Sequence, residues 1–90
     1  MLDISALVLT FNEEDNIERC LASLSFCREI VVVDSGSTDK TVDIASRYTD
    51  KTLSHPLTGF GPQRNWGIEQ AEYDWILWLD ADEEISPELK

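Results

Sequence analysis

Short apolar runs separated by amphipathic segments divide the chain into alternating predicted strands and helices. Four runs rich in apolar or β-branched residues predict strands. They are Ile4–Leu9, Ile30–Val33, Lys51–Leu53 and Trp75–Leu79. A helix is predicted in each interval between them. This order is typical of a mostly parallel α/β sheet of about four strands with three flanking helices and right-handed crossovers.

The first two helices are predicted from caps, turns and apolar spacing. Asn12 is expected to cap the first helix, whose apolar residues recur at i, i+3, i+4 and i+7. They are Ile17, Cys20, Leu21 and Leu24. A tight turn at Ser35–Thr38 leads into the second helix, which we expect to run to about Tyr48. Its inward residues are predicted to be Val42, Ala45 and Tyr48.

The third helix is predicted from Pro62, which suits a first helical position, to about Ala71. A loop is predicted before it, at residues 55–61. Ser86–Lys90 has the pattern of a cap and the first turn of another helix. Because one turn is not stable alone, we expect residues 1–90 to be the front part of a longer protein, truncated at its C-terminus.

Composition limits the classes of partner. The 90 residues suffice for one small domain, and acidic residues outnumber basic ones by 18 to 7, for a net charge of −11. Such acidity argues against a nucleic-acid partner and against adhesion to anionic lipid. Cys20 and Cys27 are expected to be reduced thiols, and the start of the chain lacks the features of a signal peptide. We therefore expect a cytoplasmic protein.

The clearest chemical signal is Asp80-Ala81-Asp82, directly after the predicted strand Trp75–Leu79. Ligands bind at the carboxyl ends of strands in open α/β sheets. Carboxylates two residues apart suit Mg²⁺ or Mn²⁺, and such a cation would offset the repulsion between carboxylates and a diphosphate. The alternative is a solvated turn.

Other polar residues fall at predicted strand ends or helix starts: Thr10, Asn12, Asp34 and Arg64. Parallel strand ends share one edge of a sheet, so we expect these groups to converge. Asp34 is expected either to accept the N–H of a pyrimidine base or to stabilise a turn. Arg64 either meets a nucleotide or pairs with a surface carboxylate. Neither a P-loop nor G-x-G-x-x-G is present, which leaves phosphate binding to a metal.

The single histidine and the three tryptophans are not expected to take part in the chemistry. His55 stands alone in a predicted loop and is expected to be a bystander. The tryptophans are expected to lie in the core rather than to form a sugar-stacking platform. They are Trp66, Trp75 and Trp78.

Four segments together resemble family 2 glycosyltransferases, the inverting class with the GT-A fold, over essentially all 90 residues. They are Leu9–Glu14, Val33–Asp39, Gln63–Gly67 and Leu79–Glu83. The residues of these segments are especially similar to those of lipopolysaccharide-core β-glucosyltransferases. The resemblance implies that residues 1–90 form the Rossmann-like, nucleotide-sugar-binding part of a GT-A domain. It also implies a UDP-sugar donor, a glycan or lipid-linked acceptor, and a parent protein peripheral to the inner membrane.

The resemblance also implies residue roles. Thr10, Asn12 and Asp34 would surround the base and ribose, and Arg64 would lie near the nucleotide. Asp80 would approach the ribose and the metal, and Asp82 would bind the metal. The family often has a second acidic residue where this chain has Ser35, which leaves the contact of Asp34 open.

An inverting transferase needs a general base to deprotonate its acceptor. The resemblance implies that this carboxylate lies beyond residue 90, so we expect the 90-residue chain to bind donor without turnover. A non-catalytic nucleotide-sugar-binding module is one alternative. A haloacid-dehalogenase-like phosphatase is another, although its Asp-x-Asp motif typically comes near the start of the chain. A receiver-type signalling domain fits less well, because Glu13-Glu14 does not match its acidic pattern.

Overall fold

In the part of the chain that the structure describes, four parallel strands form one sheet that carries helices on both faces. The computed structural model describes residues 2–55 and 60–81. In chain order the elements are β1 (Leu2–Thr10), α1 (Ile17–Ala22), β2 (Cys27–Asp34), α2 (Thr41–Ala45), β3 (Lys51–Ser54), α3 (Phe60–Gln70) and β4 (Trp75–Asp80). The strand order is β3-β2-β1-β4, and each neighbouring pair is parallel. The predicted α/β fold class is confirmed.

The core has two halves because successive side chains of a strand point to opposite faces of the sheet. On one face, strand residues pack with α1 and α2; this half includes Ala6, Val8, Ile17, Leu21, Val32 and Ala45. On the other face, four buried strand residues pack with α3. They are Leu7, Leu9, Val31 and Val33, and the partly buried Trp66 rests on them as predicted.

Helix α3 lies close against the sheet at Gly67, which is buried. A Cβ atom at this position would lie 2.5 Å from Cδ1 of Leu7, a side chain with no exposed surface. Interiors are packed densely, so Leu7 has little room to move aside. The absence of a side chain at Gly67 therefore sets how closely α3 lies on β1.

The prediction that Asn12 caps the first helix is wrong. The helix begins at Ile17 with Asn16 at the N-cap, and Asn12 has a φ of 51°. Asn tolerates this left-handed conformation better than most residues. The polar groups of Asn12 bond instead to the segment after β2, at Ser37 and Thr38.

Helix α2 is shorter than predicted, and its inward face is shifted. It ends at Ala45 rather than near Tyr48, because the N–H groups of Arg47 and Tyr48 bond three residues back, to Ile44 and Ala45, and tighten the chain into a turn. Ala45 is buried as expected, whereas Val42 and Tyr48 are exposed by 36% and 39%. Thr41, not Val42, supplies the other buried position.

Helix α3 begins two residues earlier than predicted, at Phe60, so Pro62 is its third residue. Proline is tolerated there because the first four N–H groups of a helix have no partner within the helix. Part of the predicted loop at 55–61 is thus helical. The predicted helical start at Ser86–Lys90 lies outside the described residues.

Two tryptophans predicted for the core are exposed instead. Trp75 is 77% exposed and Trp78 is 40% exposed. Both lie on β4, which ends the strand order in the described part of the sheet, so no neighbouring strand covers its outer side there. Cys20 and Cys27 are buried and are not joined in a disulfide, and burial raises the pKa of Cys27. No helix in residues 2–55 and 60–81 is long and apolar enough to span a membrane.

Candidate functional site

The carboxyl ends of the three strands β1, β2 and β4 lie side by side. Thr10 pairs with Asp34, and Leu9 pairs with Asp80. The ladder continues one residue past the strands: Ser35 N–H donates to the Thr10 carbonyl (3.0 Å) and Ala81 N–H to the Leu9 carbonyl (3.1 Å). We call this the carboxyl-end edge. It brings three of the predicted site residues together: Thr10, Asp34 and Asp80.

Thr10 lies at the centre of the carboxyl-end edge and is 4% exposed. Its hydroxyl has no hydrogen-bond partner in the described part of the chain. Leaving a buried hydroxyl unpaired costs about 1–3 kcal/mol. A ligand that bonds to this group removes that cost, and such groups in native structures call for an explanation of this kind.

Asp34 is 2% exposed and stabilises the turn that follows it. Its Oδ2 accepts from the N–H groups of Gly36 (3.0 Å) and Ser37 (2.8 Å), and its Oδ1 accepts from the Ser37 hydroxyl. Gly36 has a φ of 107°, which favours glycine. A carboxylate offers about four acceptor positions, so one remains for a ligand. Asp34 therefore makes the turn contacts that were one of its two expected roles. Its contact with a nucleotide, the other expected role, stays a prediction.

The segments after β1 and β2 are joined by five hydrogen bonds between residues 12–14 and 37–41, which we call the loop clasp. Asn12 N–H donates to Ser37 Oγ, and Asn12 Oδ1 accepts from Thr38 N–H, both at 2.8 Å. Glu13 N–H donates to Thr41 Oγ1, also at 2.8 Å. Two longer bonds involve the carboxylates of Asp39 and Glu14. The clasp holds Asn12 at the carboxyl-end edge in its left-handed conformation.

Asp39 and Thr41 support the clasp, and sequence reasoning missed both as contributors to the site. The Asp39 carboxylate accepts from the Thr41 hydroxyl and from the N–H groups of Thr41 and Glu14. The bond from the Thr41 hydroxyl, followed by those N–H groups, lowers the pKa of Asp39 despite some desolvation. An Asp two residues before a buried Thr was the available signal, since this spacing allows an Asx-type turn.

The predicted metal and phosphate residues lie only partly within the described chain. Asp80 is exposed at the end of β4. Asp82 lies outside the described residues, as does the side chain of Arg64 on α3. No cluster of three or more His, Cys, Asp or Glu side chains suited to a metal occurs in residues 2–55 and 60–81. A carboxylate beside a nucleotide still fits Mg²⁺ or Mn²⁺, because Mg²⁺ is often bound through one or two carboxylates plus water and substrate phosphates.

Comparisons with known proteins agree with this arrangement. Residues 5–90 match the family model of glycosyl transferase family 2. Over 94 residues the chain is 36% identical to the lipopolysaccharide core biosynthesis glycosyltransferase LpsC of Rhizobium meliloti, an alignment that covers 99% of this chain and 35% of that protein. The chain spans about a third of the length of the curated relatives it matches.

Two solved structures are similar in fold and sequence. S. aureus TarS 1-349 in complex with UDP matches with a TM-score of 0.76 and 34% identity over 94% of this chain and 29% of that one. Glucosyl-3-phosphoglycerate synthase from Mycobacterium tuberculosis, in complex with Mn²⁺, UDP and glucosyl-3-phosphoglycerate, matches with a TM-score of 0.77 and 26% identity over 91% and 35% of the two chains. The sequence motifs, the parallel sheet and these matches agree: the chain belongs to glycosyl transferase family 2.

Proposed function

We propose that this chain is the donor-binding part of a glycosyltransferase that transfers a sugar from a UDP-sugar to a glycan or lipopolysaccharide acceptor. Family membership over residues 5–90 supports the reaction class. UDP in the similar TarS structure supports the donor class, and the name of LpsC supports the acceptor class. The family match also favours this function over a haloacid-dehalogenase-like phosphatase.

The observation that carries the proposal is the buried hydroxyl of Thr10, which lies beside Asp34 at the carboxyl ends of the central strands and has no partner among residues 2–55 and 60–81. We assign the base and ribose to Thr10, Asn12 and Asp34. Thr10 offers a donor and an acceptor, and Asp34 offers its remaining acceptor position. Asn12 uses its side-chain oxygen in the loop clasp, so its amide nitrogen is the group assigned to the ligand. Arg64 is assigned to the nucleotide on the resemblance alone.

The proposal includes a divalent cation, Mg²⁺ or Mn²⁺, held by Asp80 and Asp82 together with the donor diphosphate. Mn²⁺ and UDP in the similar glucosyl-3-phosphoglycerate synthase structure support this assignment. When bound, the cation supplies positive charge that stabilises a departing diphosphate. The residues of this chain are assigned donor binding, and deprotonation of the acceptor is not assigned to any of them.

We also propose a cytoplasmic location for the chain, with the parent protein peripheral to the inner membrane. The two cysteines, which are not joined in a disulfide, support a reducing compartment. A lipopolysaccharide acceptor, suggested by the name of LpsC, is lipid-linked and would bring the parent protein to a membrane surface.

Calorimetric titration of UDP into the chain, with and without Mn²⁺, tests the proposal. We expect Mn²⁺ to tighten UDP binding, and we expect Asp80→Asn and Asp82→Asn each to weaken it about tenfold, because charge-assisted contacts contribute about 1.5–3 kcal/mol. Asp74→Asn is the matched control, since Asp74 is exposed just before β4, at the opposite end of the same strand. Failure of the unmodified chain to bind UDP contradicts the donor assignment. UDP binding that ignores Mn²⁺ contradicts the metal assignment.

A further inference from the structure

A fully buried glutamine joins the ends of two strands beside the proposed donor site. Gln63 on α3 has no exposed surface. Its Nε2 lies 3.1 Å from the backbone carbonyl of His55 and 3.2 Å from Ser35 Oγ, and its Oε1 lies 2.7 Å from His55 Nδ1. Ser35 directly follows β2, and His55 directly follows β3. One side chain thus contacts both strand ends from the helix above them.

The chemistry of these partners determines how the amide is oriented. The His55 carbonyl can only accept a hydrogen bond, so the group that faces it must be the NH₂ of Gln63. The reversed amide would set two acceptor oxygens against each other. The oxygen of Gln63 therefore faces the imidazole, and His55 must carry its proton on Nδ1. The His55 ring also stacks on Trp66, with centroids 4.2 Å apart and planes 26° apart, which holds it against Gln63.

This orientation also determines what Ser35 can do. The second N–H of Gln63 donates to Ser35 Oγ, and an amide nitrogen cannot accept the Ser35 proton in return. No other hydrogen bond to the Ser35 side chain occurs within residues 2–55 and 60–81. The Ser35 N–H bonds to the Thr10 carbonyl, so Ser35 lies next to the buried Thr10. Its half-buried hydroxyl therefore has a proton to donate at the carboxyl-end edge.

We infer that Gln63 is a positioning residue for the donor site: by donating to Ser35 Oγ, it leaves the Ser35 proton free to bond to an oxygen atom of the bound nucleotide. The inference rests on the proposed function, because it assumes that a nucleotide binds at the carboxyl-end edge. It adds Ser35 as a ligand contact and Gln63 as the residue that orients it.

The imidazole of His55 tests the orientation without ligand. His55 is the one histidine in the 90-residue sequence, so its ring signals in ¹⁵N NMR need no further assignment. We expect the neutral ring of the unmodified chain to carry its proton on Nδ1. A ring protonated on Nε2 alone overturns the inference, because Gln63 would then face His55 with its NH₂ group and not with its oxygen.

A double-mutant cycle on UDP affinity tests the action through Ser35. A carboxylate in Gln63→Glu draws the Ser35 proton inward, so this variant and Ser35→Ala should each weaken UDP binding about fivefold, as for one neutral hydrogen bond. The double variant should bind no more weakly than Ser35→Ala alone. Gln70→Glu is the control: it adds the same charge to the same helix, at a side chain that bonds only to the Trp66 carbonyl among the described residues, and should bind UDP normally.

The outcomes separate this inference from the proposed function. If the unmodified chain binds UDP while Gln63→Glu binds it equally well, or if the two losses add in the double variant, the inference is overturned and the proposed function stands. If the unmodified chain binds no UDP, both fail. Should Gln63→Glu not fold, Gln63→Met, which is similar in length, takes its place in the cycle. It removes the N–H that orients Ser35 Oγ, so UDP binding should weaken again, by less than in Gln63→Glu, and this loss should again disappear in the Ser35→Ala background.

Discussion

Polar side chains are buried both at the carboxyl-end edge and at the amino ends of the strands, but their hydrogen bonds differ between the two places. At the opposite, amino-end edge, the Glu29 carboxylate accepts from the Ser5 hydroxyl and from the Glu72 N–H, and it pairs with Lys51. Lys51 also donates to the Gln70 carbonyl at 3.2 Å, in the last turn of α3. Every partner at this edge is therefore supplied by the chain itself.

The carboxyl-end edge contrasts with this closed network because it leaves bonding capacity unused. Thr10 is nearly as buried as Ser5, at 4% against 0% exposure, yet its hydroxyl has no partner in the described part of the chain, whereas that of Ser5 bonds to Glu29 and accepts from Tyr73 N–H. Burial and polarity alone do not distinguish a binding site from a structural network. Hydrogen-bonding groups that the fold leaves unpaired make that distinction.

The largest effect is expected from Glu29→Ala, which removes the centre of the amino-end network. Ser5 and Lys51 lose the Glu29 carboxylate as an acceptor, at a side chain that is only 9% exposed. Lys51 is then held less firmly against the Gln70 carbonyl at the end of α3. We expect the free energy of unfolding in urea to fall by about 3 kcal/mol. UDP affinity of the folded protein should change little, since the change lies at the opposite edge from the proposed site.

Glu72→Ala is the control for this prediction. The Glu72 side chain is 67% exposed and lies 3.4 Å from Lys51, so its loss should change stability by less than about 0.5 kcal/mol. If Glu29→Ala and Glu72→Ala lowered the free energy of unfolding by similar amounts, Glu29 would not be the centre of the network.

The next effect tests the loop clasp at the carboxyl-end edge. Thr41→Val keeps the shape of a fully buried side chain but removes the acceptor for Glu13 N–H and the donor to Asp39. We expect the free energy of unfolding in urea to fall by about 1–2 kcal/mol and UDP binding to weaken, because the clasp positions Asn12.

Thr52→Val is the control, because it makes the same change on half-buried β3. Its hydroxyl has only a long 3.5 Å bond to the Thr49 carbonyl among the described residues, so the variant should alter neither stability nor UDP binding. Unchanged UDP affinity in a destabilised Thr41→Val would confine the clasp to a structural role.

These differences explain which features could be read from the sequence. Strands β1 and β2 form continuous apolar runs because both faces of a parallel sheet are covered, so their existence and order were predictable. The loop clasp and Gln63 were not predicted as contacts, because hydrogen bonds between residues 25 to 28 positions apart have no periodicity. Glu29 lies between Arg28 and Ile30 of β2, and nothing local reveals its partners on three other segments.

The helix errors have a related cause. Asn12 was predicted to cap a helix from its residue type, and tertiary partners at Ser37 and Thr38 drew it into the clasp instead. The predicted core role of Trp75 assumed that an apolar run is covered on every side, which does not hold for a strand that ends the described sheet. Local patterns predicted the elements, and contacts between distant segments determined the site.

A smaller effect on stability, with the opposite sign, is expected from Thr10→Val. This variant removes a buried hydroxyl that has no partner among the described residues and keeps the side-chain shape. We therefore expect stability to be unchanged or to rise by up to about 1 kcal/mol. UDP binding should weaken, because a donor and acceptor of the proposed site are lost. Thr52→Val again serves as the control, measured by urea unfolding and calorimetry. Clear destabilisation by Thr10→Val would show that the hydroxyl is paired in the folded protein, and the contrast between the two edges would then disappear.

The smallest effect concerns how the stability of the amino-end edge depends on pH. Desolvation tends to raise the pKa of Glu29, but hydrogen bonds from Lys51, Ser5 and Glu72 N–H and the charge of Lys51 outweigh it, so the pKa lies below its ordinary value of 4.5. A lowered carboxylate pKa stabilises the folded state at pH values above the pKa of the unfolded state. This contribution is lost as the pH falls through the pKa of the folded state.

Glu29→Gln should therefore be less stable than the parent at neutral pH, and the two unfolding free energies should converge below pH 4.5. Asp39 has a lowered pKa as well, but it is present in both proteins and cancels in the difference. Urea unfolding across this range provides the measurement. A constant gap between parent and Glu29→Gln would mean that the Glu29 network stabilises the fold through packing and not through its charge.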